Sequence, residues 1–314
     1  MILTLGKLAI FGQWLFTKRP TSVAIDITHK CNLKCLHCYW WKQTHPPELD
    51  DRQMIGFMED LRSRGLRAAI LYGGEPTLRP TICRAAARIF DATLVFSNGM
   101  NGFPELTNCQ WILSLDGPEE ENDRIRGAGV YRKAVENLKK ASGRLIVHMT
   151  ISKLNRFSLE RFVSDMMALP IKGIGFSFFT PEKGEMDESL YIPLKERDQL
   201  VRELLFLREK YGEKIGFTPA MARQLLTHGD FAKWNRFSAC PVSQRVRCYR
   251  SDGQPKACTY GDRADCSRCG CAAVVAYRGA FNPLDYKTLR LILGLMSPEY
   301  QAYTSLTGKK WKSM

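Results

Sequence analysis

Between residues 22 and 178, apolar runs of strand length alternate with amphipathic stretches of helical period. This alternation confines the chain to an α/β fold. Strands are expected at 22–28, 68–72, 92–97, 110–115, 144–151 and 172–178. Helices are expected near 50–64, 80–90, 131–141 and 157–168, with a short, poor connection near 102–107. In 131–141, Tyr131, Ala134, Val135, Leu138 and Ala141 recur at helical spacing, while Lys133, Lys139 and Lys140 form a solvated face. Six such units predict a parallel sheet with right-handed crossovers and helices outside. Six are too few to close an eight-stranded barrel, so a partial (β/α)6 barrel is expected, with its chemistry at the carboxyl ends of the strands.

The first of those ends carries Cys31, Cys35 and Cys38 on one tight loop. Three thiolates so placed can hold three irons of a cubane cluster and leave the fourth open to a small molecule. Zinc is the alternative, but zinc sites usually pair two CxxC-like knuckles, and no second pair lies nearby. The second strand ends in Gly73-Gly74-Glu75-Pro76. Glycines there let the backbone approach a ligand closely, and Glu75 offers an acceptor to an ammonium; alone, the tetrapeptide could be an ordinary turn. The third strand ends in Ser97-Asn98-Gly99. The fourth runs into Ser114-Leu115-Asp116-Gly117-Pro118, followed by Asp123-Arg124-Ile125-Arg126-Gly127.

Nine of the eleven cysteines fall in two clusters, at 31–38 and 240–271. A disulfide scaffold belongs to small secreted chains without a core, so metal ligation in a reducing cytoplasm is the better account. Cys83 and Cys109 lie in helix-like and strand-like segments and read as buried thiols. In the second cluster Cys240 is followed by twelve residues, Gly253, four residues and Cys258, and then by Cys266, Cys269 and Cys271. Residues 246–258 read as a hairpin turning at Asp252-Gly253.

Together these motifs resemble the radical S-adenosylmethionine (radical SAM) enzymes, in the subgroup with a twitch/SPASM-like C-terminal auxiliary-cluster region. The resemblance covers residues 22–180 and part of 240–271. It implies that Cys31, Cys35 and Cys38 hold a [4Fe–4S] cluster whose open iron chelates S-adenosylmethionine (SAM). It also implies SAM contacts: Tyr39 near the adenine, Gly73, Gly74, Glu75 and Pro76 at the amino group, and Ser97 and Asn98 near the ribose. Ser114 and Asp116 come from the SLDG run, with Ser114 at the ribose, and Arg126 is the candidate for the SAM carboxylate, which a guanidinium can bind bidentately. Asn122 stands where the pattern often has His. The later cysteines of the full SPASM pattern are missing, so one auxiliary [4Fe–4S] cluster is expected. Its ligands would be Cys240, Cys258 and two of Cys266, Cys269 and Cys271, with Cys248 as a spare; a zinc knuckle is the alternative.

The implied activity is reductive cleavage of SAM to a 5′-deoxyadenosyl radical that takes hydrogen from an unactivated carbon of a peptide or protein. A lipid-linked or phosphorylated small molecule is the alternative substrate. An iron–sulfur electron carrier or scaffold is the non-enzymatic alternative, but it would need neither GGEP nor the SNG and SLDG runs. The net charge of +14 suits acidic partners, including an electron donor such as a flavodoxin or ferredoxin. No nucleic-acid signature is present, so no nucleic-acid partner is expected.

The expected organisation is an N-terminal amphipathic helix over 1–20, the partial barrel over 21–212, and a linker with a helix over 213–239. The cysteine-rich region follows over 240–280, and a C-terminal helix and basic tail over 281–314. The first segment joins Trp14, Leu15 and Phe16 to Lys18 and Arg19. It reads either as a helix closing the barrel floor or as one resting on the inner face of a membrane. The protein is expected in the cytoplasm, peripherally membrane-bound on the second reading.

Overall fold

The computed structural model describes residues 10, 12–13, 19–143, 145–185, 188–281 and 283–295. The expected helix over 1–20 and the tail beyond 295 lie almost wholly outside the described residues. Strands β1 (Ser22–Asp26), β2 (Ala68–Tyr72), β3 (Ala92–Ser97), β4 (Cys109–Ser114), β5 (Ile146–Ile151) and β6 (Gly173–Phe178) fall within a residue or two of expectation at most ends. Helices α1 (Asp51–Ser63), α2 (Pro80–Ile89), α3 (Glu119–Arg126), α4 (Val130–Lys140) and α5 (Leu159–Met167) connect them. Then come α6 (Leu194–Tyr211), α7 (Pro219–Leu225), α8 (Pro241–Arg245), the hairpin β7 (Val246–Tyr249) and β8 (Pro255–Lys256), α9 (Ala272–Phe281) and α10 (Tyr286–Leu295).

Local signals account for the helix starts and faces. Asp50 caps α1 in a box closed by Gln53, and Pro80 opens α2. Met54, Met58 and Leu61 form the buried stripe of α1; Leu159, Phe162, Val163 and Met166 form that of α5. Helix α3 was not expected, because its sequence EEENDRIR is nearly all charged. It buries only Asn122, Ile125 and Arg126.

The eight strands form one open sheet in the order β6-β5-β4-β3-β2-β1-β7-β8. Six-stranded expectation and eight-stranded result differ because β7 pairs in parallel with the free side of β1, placing Cys248 beside Ala24. β8 then returns antiparallel to β7, as the expected hairpin does, with Gly253 at φ +80° in its turn. Strand side chains alternate between two environments. Val23, Ile25, Leu71, Val95, Leu113, Val147 and Met149 face outward into the core under the helices. By register, Asp26, Tyr72, Phe96, Ser114, His148 and Ser177 share the opposite, concave face. No helix among the described residues is long and apolar enough to cross a membrane.

Candidate active site

The cysteine loop leaves β1 and is pinned on every side. The Gly74 amide donates to the Thr28 carbonyl at 2.8 Å, and the Glu75 amide to the Lys30 carbonyl at 2.9 Å. Asn98 Nδ2 donates to Asn32 Oδ1 at 2.7 Å, and the Leu36 amide to the Ile125 carbonyl at 2.8 Å. Trp41 Nε1 donates to the Cys35 carbonyl at 3.0 Å. The ends of β2 and β3 and the last turn of α3 therefore all hold the same loop.

This contact explains the two glycines. A Cβ on Gly73 would stand 2.3 Å from the Thr28 oxygen, and one on Gly74 would stand 2.0 Å from the Lys30 oxygen. The close backbone approach expected toward a ligand is here an approach to the cysteine loop itself. Glu75 is likewise built into the frame, at 1% exposure. Its Oε1 accepts from the Thr77 amide (3.0 Å), Thr77 Oγ1 (2.6 Å) and Ser97 Oγ (2.8 Å), and its Oε2 from the Asn98 amide (2.8 Å). A carboxylate has about four lone-pair sites, so Oε2 keeps one for a further donor.

Asp116 and Arg126 form a buried ion pair with Nε 2.7 Å from Oδ2. Burial alone would raise the Asp116 pKa. The charges of Arg126 and His37 and the hydrogen bonds from the Thr150 amide and Arg126 outweigh it and hold the carboxyl below its ordinary range. Arg126 therefore serves Asp116 through Nε, while its terminal nitrogens make no hydrogen bond to described protein atoms. Asn122 is fully buried and accepts the Asp116 amide at 3.0 Å, which makes it a brace of the turn. Pro76 opens the 3-10 turn Pro76–Leu78.

Cys31 is exposed, Cys38 half-buried and Cys35 buried. Burial pushes the Cys35 thiol up to about 11, with the Arg126 charge opposing it and the other two thiols adding to it. Thiols so raised become ligands when a metal displaces their protons. Among the described residues no group of three or more His, Cys, Asp or Glu is arranged to hold a single metal ion. A cubane asks for something else, one thiolate for each iron, and three neighbouring thiols with a guanidinium beside them suit a thiolate-ligated cluster.

The second cysteine set also gathers. Burial raises Cys258, Cys266, Cys269 and Cys271, and in each the nearby Cys240 raises the thiol further. Cys258 acts in turn on Cys248, Cys269 and Cys271. The donor set is soft and exceeds four, which fits a cubane or a tetrathiolate zinc. Cys83 and Cys109 are core thiols, with Cys83 pushed up to about 12 by burial.

Tyr39 stands between the two sets. After burial, Asp26, Tyr260, Cys258 and Cys38 are what raise its phenol. A Cβ on Gly261 would lie 3.9 Å from the Tyr39 hydroxyl. Ser114 sits on the concave face beside His148, one strand over.

Several residues in the same space escaped the sequence reading. Lys256 Nζ lies 2.6 Å from Asp26 Oδ2, with both side chains 2% exposed. His37 Nδ1 lies 3.6 Å from Asp116 Oδ2. His148 Nε2 is 3.0 Å from Ser177 Oγ, and burial lowers its pKa to about 4. The alternation of Val147, Met149 and Ile151 with His148 and Thr150 was the available signal for His148. Nothing local marks the other pairs.

Comparison with known proteins follows the same outline. The Radical SAM superfamily matches residues 25–166. The chain is 32% identical over 151 residues to the sporulation killing factor maturation protein SkfB of Bacillus subtilis, covering 43% of this chain and 37% of SkfB. It is 29% identical over 191 residues to the AdoMet-dependent heme synthase of Methanosarcina barkeri, covering 55% and 54%. The matches thus span about half or less of these relatives. In fold it is similar to Streptococcus suis SuiB bound to S-adenosylmethionine, with a TM-score of 0.60 and 14% identity over 80% of this chain and 63% of SuiB.

Proposed function

We propose that this chain, whose residues 25–166 match the Radical SAM superfamily, is an enzyme that uses a [4Fe–4S] cluster and SAM to modify a peptide or protein at an unactivated carbon. The observation that carries the reading is Tyr39, set between a three-thiol loop at the end of β1 and a second thiol set brought alongside by β7. Solved SuiB structures include one bound to its precursor peptide SuiA, and the fold likeness there covers 81% of this chain. That likeness, with the second thiol set, supports a peptide-class substrate.

When bound, the cluster and SAM supply a 5′-deoxyadenosyl radical. Cys31, Cys35 and Cys38 would hold the cluster. Cys240 and Cys258, each in electrostatic reach of the other thiols of the set, would hold a second with two of Cys266, Cys269 and Cys271. Glu75 Oε2 would accept from an ammonium, and the terminal nitrogens of Arg126 would bind a carboxylate. Ser97 and Asn98 hold Glu75 in place, and Ser114 presents a hydroxyl on the concave face. Tyr72 and Phe96 stack at 4.6 Å there and help exclude water, which a reactive carbon radical requires. Lys30, Lys34 and Lys42 with exposed Leu36 and Trp41 surround the loop and suit an acidic electron donor.

The test is anaerobic reconstitution, reduction with dithionite and measurement of 5′-deoxyadenosine. Co-expression with peptides encoded beside the gene, read by mass spectrometry, tests the substrate class. SAM cleavage with no mass change in any such peptide would move the reading to a small-molecule substrate.

A further inference from the structure

Three cationic side chains are buried among the described residues: Arg126, Arg197 and Lys256. Two of them have buried carboxylate partners, Asp116 and Asp26. Arg197, on α6 and 1% exposed, has none. Its terminal nitrogens donate to two carbonyls, those of Cys269 at 3.0 Å and Leu225 at 3.1 Å. Its Nε is buried without a hydrogen bond. The rings of Phe231 and Phe178 flank the guanidinium at 4.3 and 5.7 Å. Asp198, the next residue, turns away and accepts from the Thr227 amide at 3.0 Å.

Carbonyl dipoles and aromatic faces ease a buried cation, but they do not neutralise it. A buried charge is ordinarily paired or placed beside a metal centre. The Tyr191 phenol, Cys269 and Asp198 lie within electrostatic reach of Arg197, but Asp198 is spent on Thr227 and Tyr191 is a neutral phenol; Cys269 belongs to the second set, and Arg197 already grips its backbone. Neutral thiols give it no counter-charge. Four thiolates around a cluster or a divalent ion carry net negative charge.

We propose that Arg197 is the counter-cation of the second cysteine-bound centre. The inference rests on the reading that the second set holds a metal centre. An iron–sulfur centre gains a negative charge on reduction, and Arg197 favours that state. It also favours the loaded protein over the empty one, because loading supplies the missing anion.

The test uses Arg197→Gln and Arg197→Lys in reconstituted full-length protein whose Cys31, Cys35 and Cys38 are replaced by Ala, so that the remaining iron belongs to the second set. Spectroscopic redox titration should show the reduction equilibrium falling at least tenfold in Arg197→Gln, about 59 mV for one electron. Arg197→Lys should stay within about threefold, because the charge remains. An unchanged potential in Arg197→Gln with full iron would overturn the inference. If Arg197→Gln does not fold, Arg197→Lys decides: a native potential supports the charge role, and a tenfold fall refutes it. Should the set hold zinc instead, the second-cluster reading fails by itself. Arg197 is then tested by chelator competition, where Arg197→Gln must release zinc at least tenfold more readily. If the parent protein binds no metal at this set, both readings fall.

Discussion

Arg126 Nε lies 2.7 Å from Asp116 Oδ2, both side chains are buried, and the pair stands over the cysteine loop. Removing one partner of such a pair strands a charge and costs about 3–5 kcal/mol. Arg126→Ala should therefore unfold at clearly lower urea than wild type. Arg126→Lys keeps the charge but loses the fork. It should retain most of the stability while binding SAM about tenfold to hundredfold more weakly, the worth of about 1.5–3 kcal/mol. Equilibrium dialysis with native SAM affinity in Arg126→Lys would remove Arg126 from the ligand site.

Glu75 accepts four donors, so Glu75→Gln must turn an amide NH2 toward at least one of them. Leaving a buried donor unmet costs about 1–3 kcal/mol. The expected result is a lower urea midpoint at unchanged slope, together with weaker SAM binding. Loss of SAM binding at full stability would show that Glu75 acts on the ligand alone and is not part of the frame.

Two cubanes predict about eight irons per chain in reconstituted protein. A Cys31/Cys35/Cys38→Ala variant should keep about half and lose SAM cleavage. Cys83→Ala should keep all the iron, since that thiol is in the core. Four irons with one zinc in wild type would refute the second cluster and leave the first.

His148 predicts a pH dependence. Burial lowers its pKa from 6.5 to about 4, so the ring is neutral in the fold. The unfolded chain takes up a proton first, so stability falls as pH drops through 6.5 and levels off near 4. Between pH 7 and 5 wild type should lose about 2 kcal/mol more than His148→Gln, at roughly 1.4 kcal/mol per pH unit below 6.5. Parallel urea titrations of the two proteins check it. Identical slopes would mean that His148 is protonated within the fold.

The parts of this structure that could be read from sequence are those written within a few residues. Largely buried parallel strands appear as short apolar runs, so β2 and β3 match their expected limits. The cysteine loop, GGEP and SLDG were legible because turn chemistry and ligand spacing are local. Helix α3 was not, since its worth lies in where it delivers Arg126 and not in an apolar stripe. The pairs Asp26–Lys256 and Arg197–Cys269 join residues 230 and 72 apart, and no local pattern encodes such a meeting. The role of Gly73 and Gly74 was half legible: a close approach was foreseen, but its target is the neighbouring loop.

The pairing of β7 with β1 has a consequence for biosynthesis. Until residues 246–249 have been made, the second edge of Ser22–Asp26 has no partner from β7. That edge is an apolar strand with open amides and carbonyls, the kind of surface on which nascent chains stick to one another. Strand Ser22–Asp26 is thus closed on this side only after β2 to β6 have been made. A ribosome stalled before the second cysteine set would leave the sheet exposed along its β1 margin. Truncation there should yield inclusion bodies even though every strand of the six-unit barrel is present.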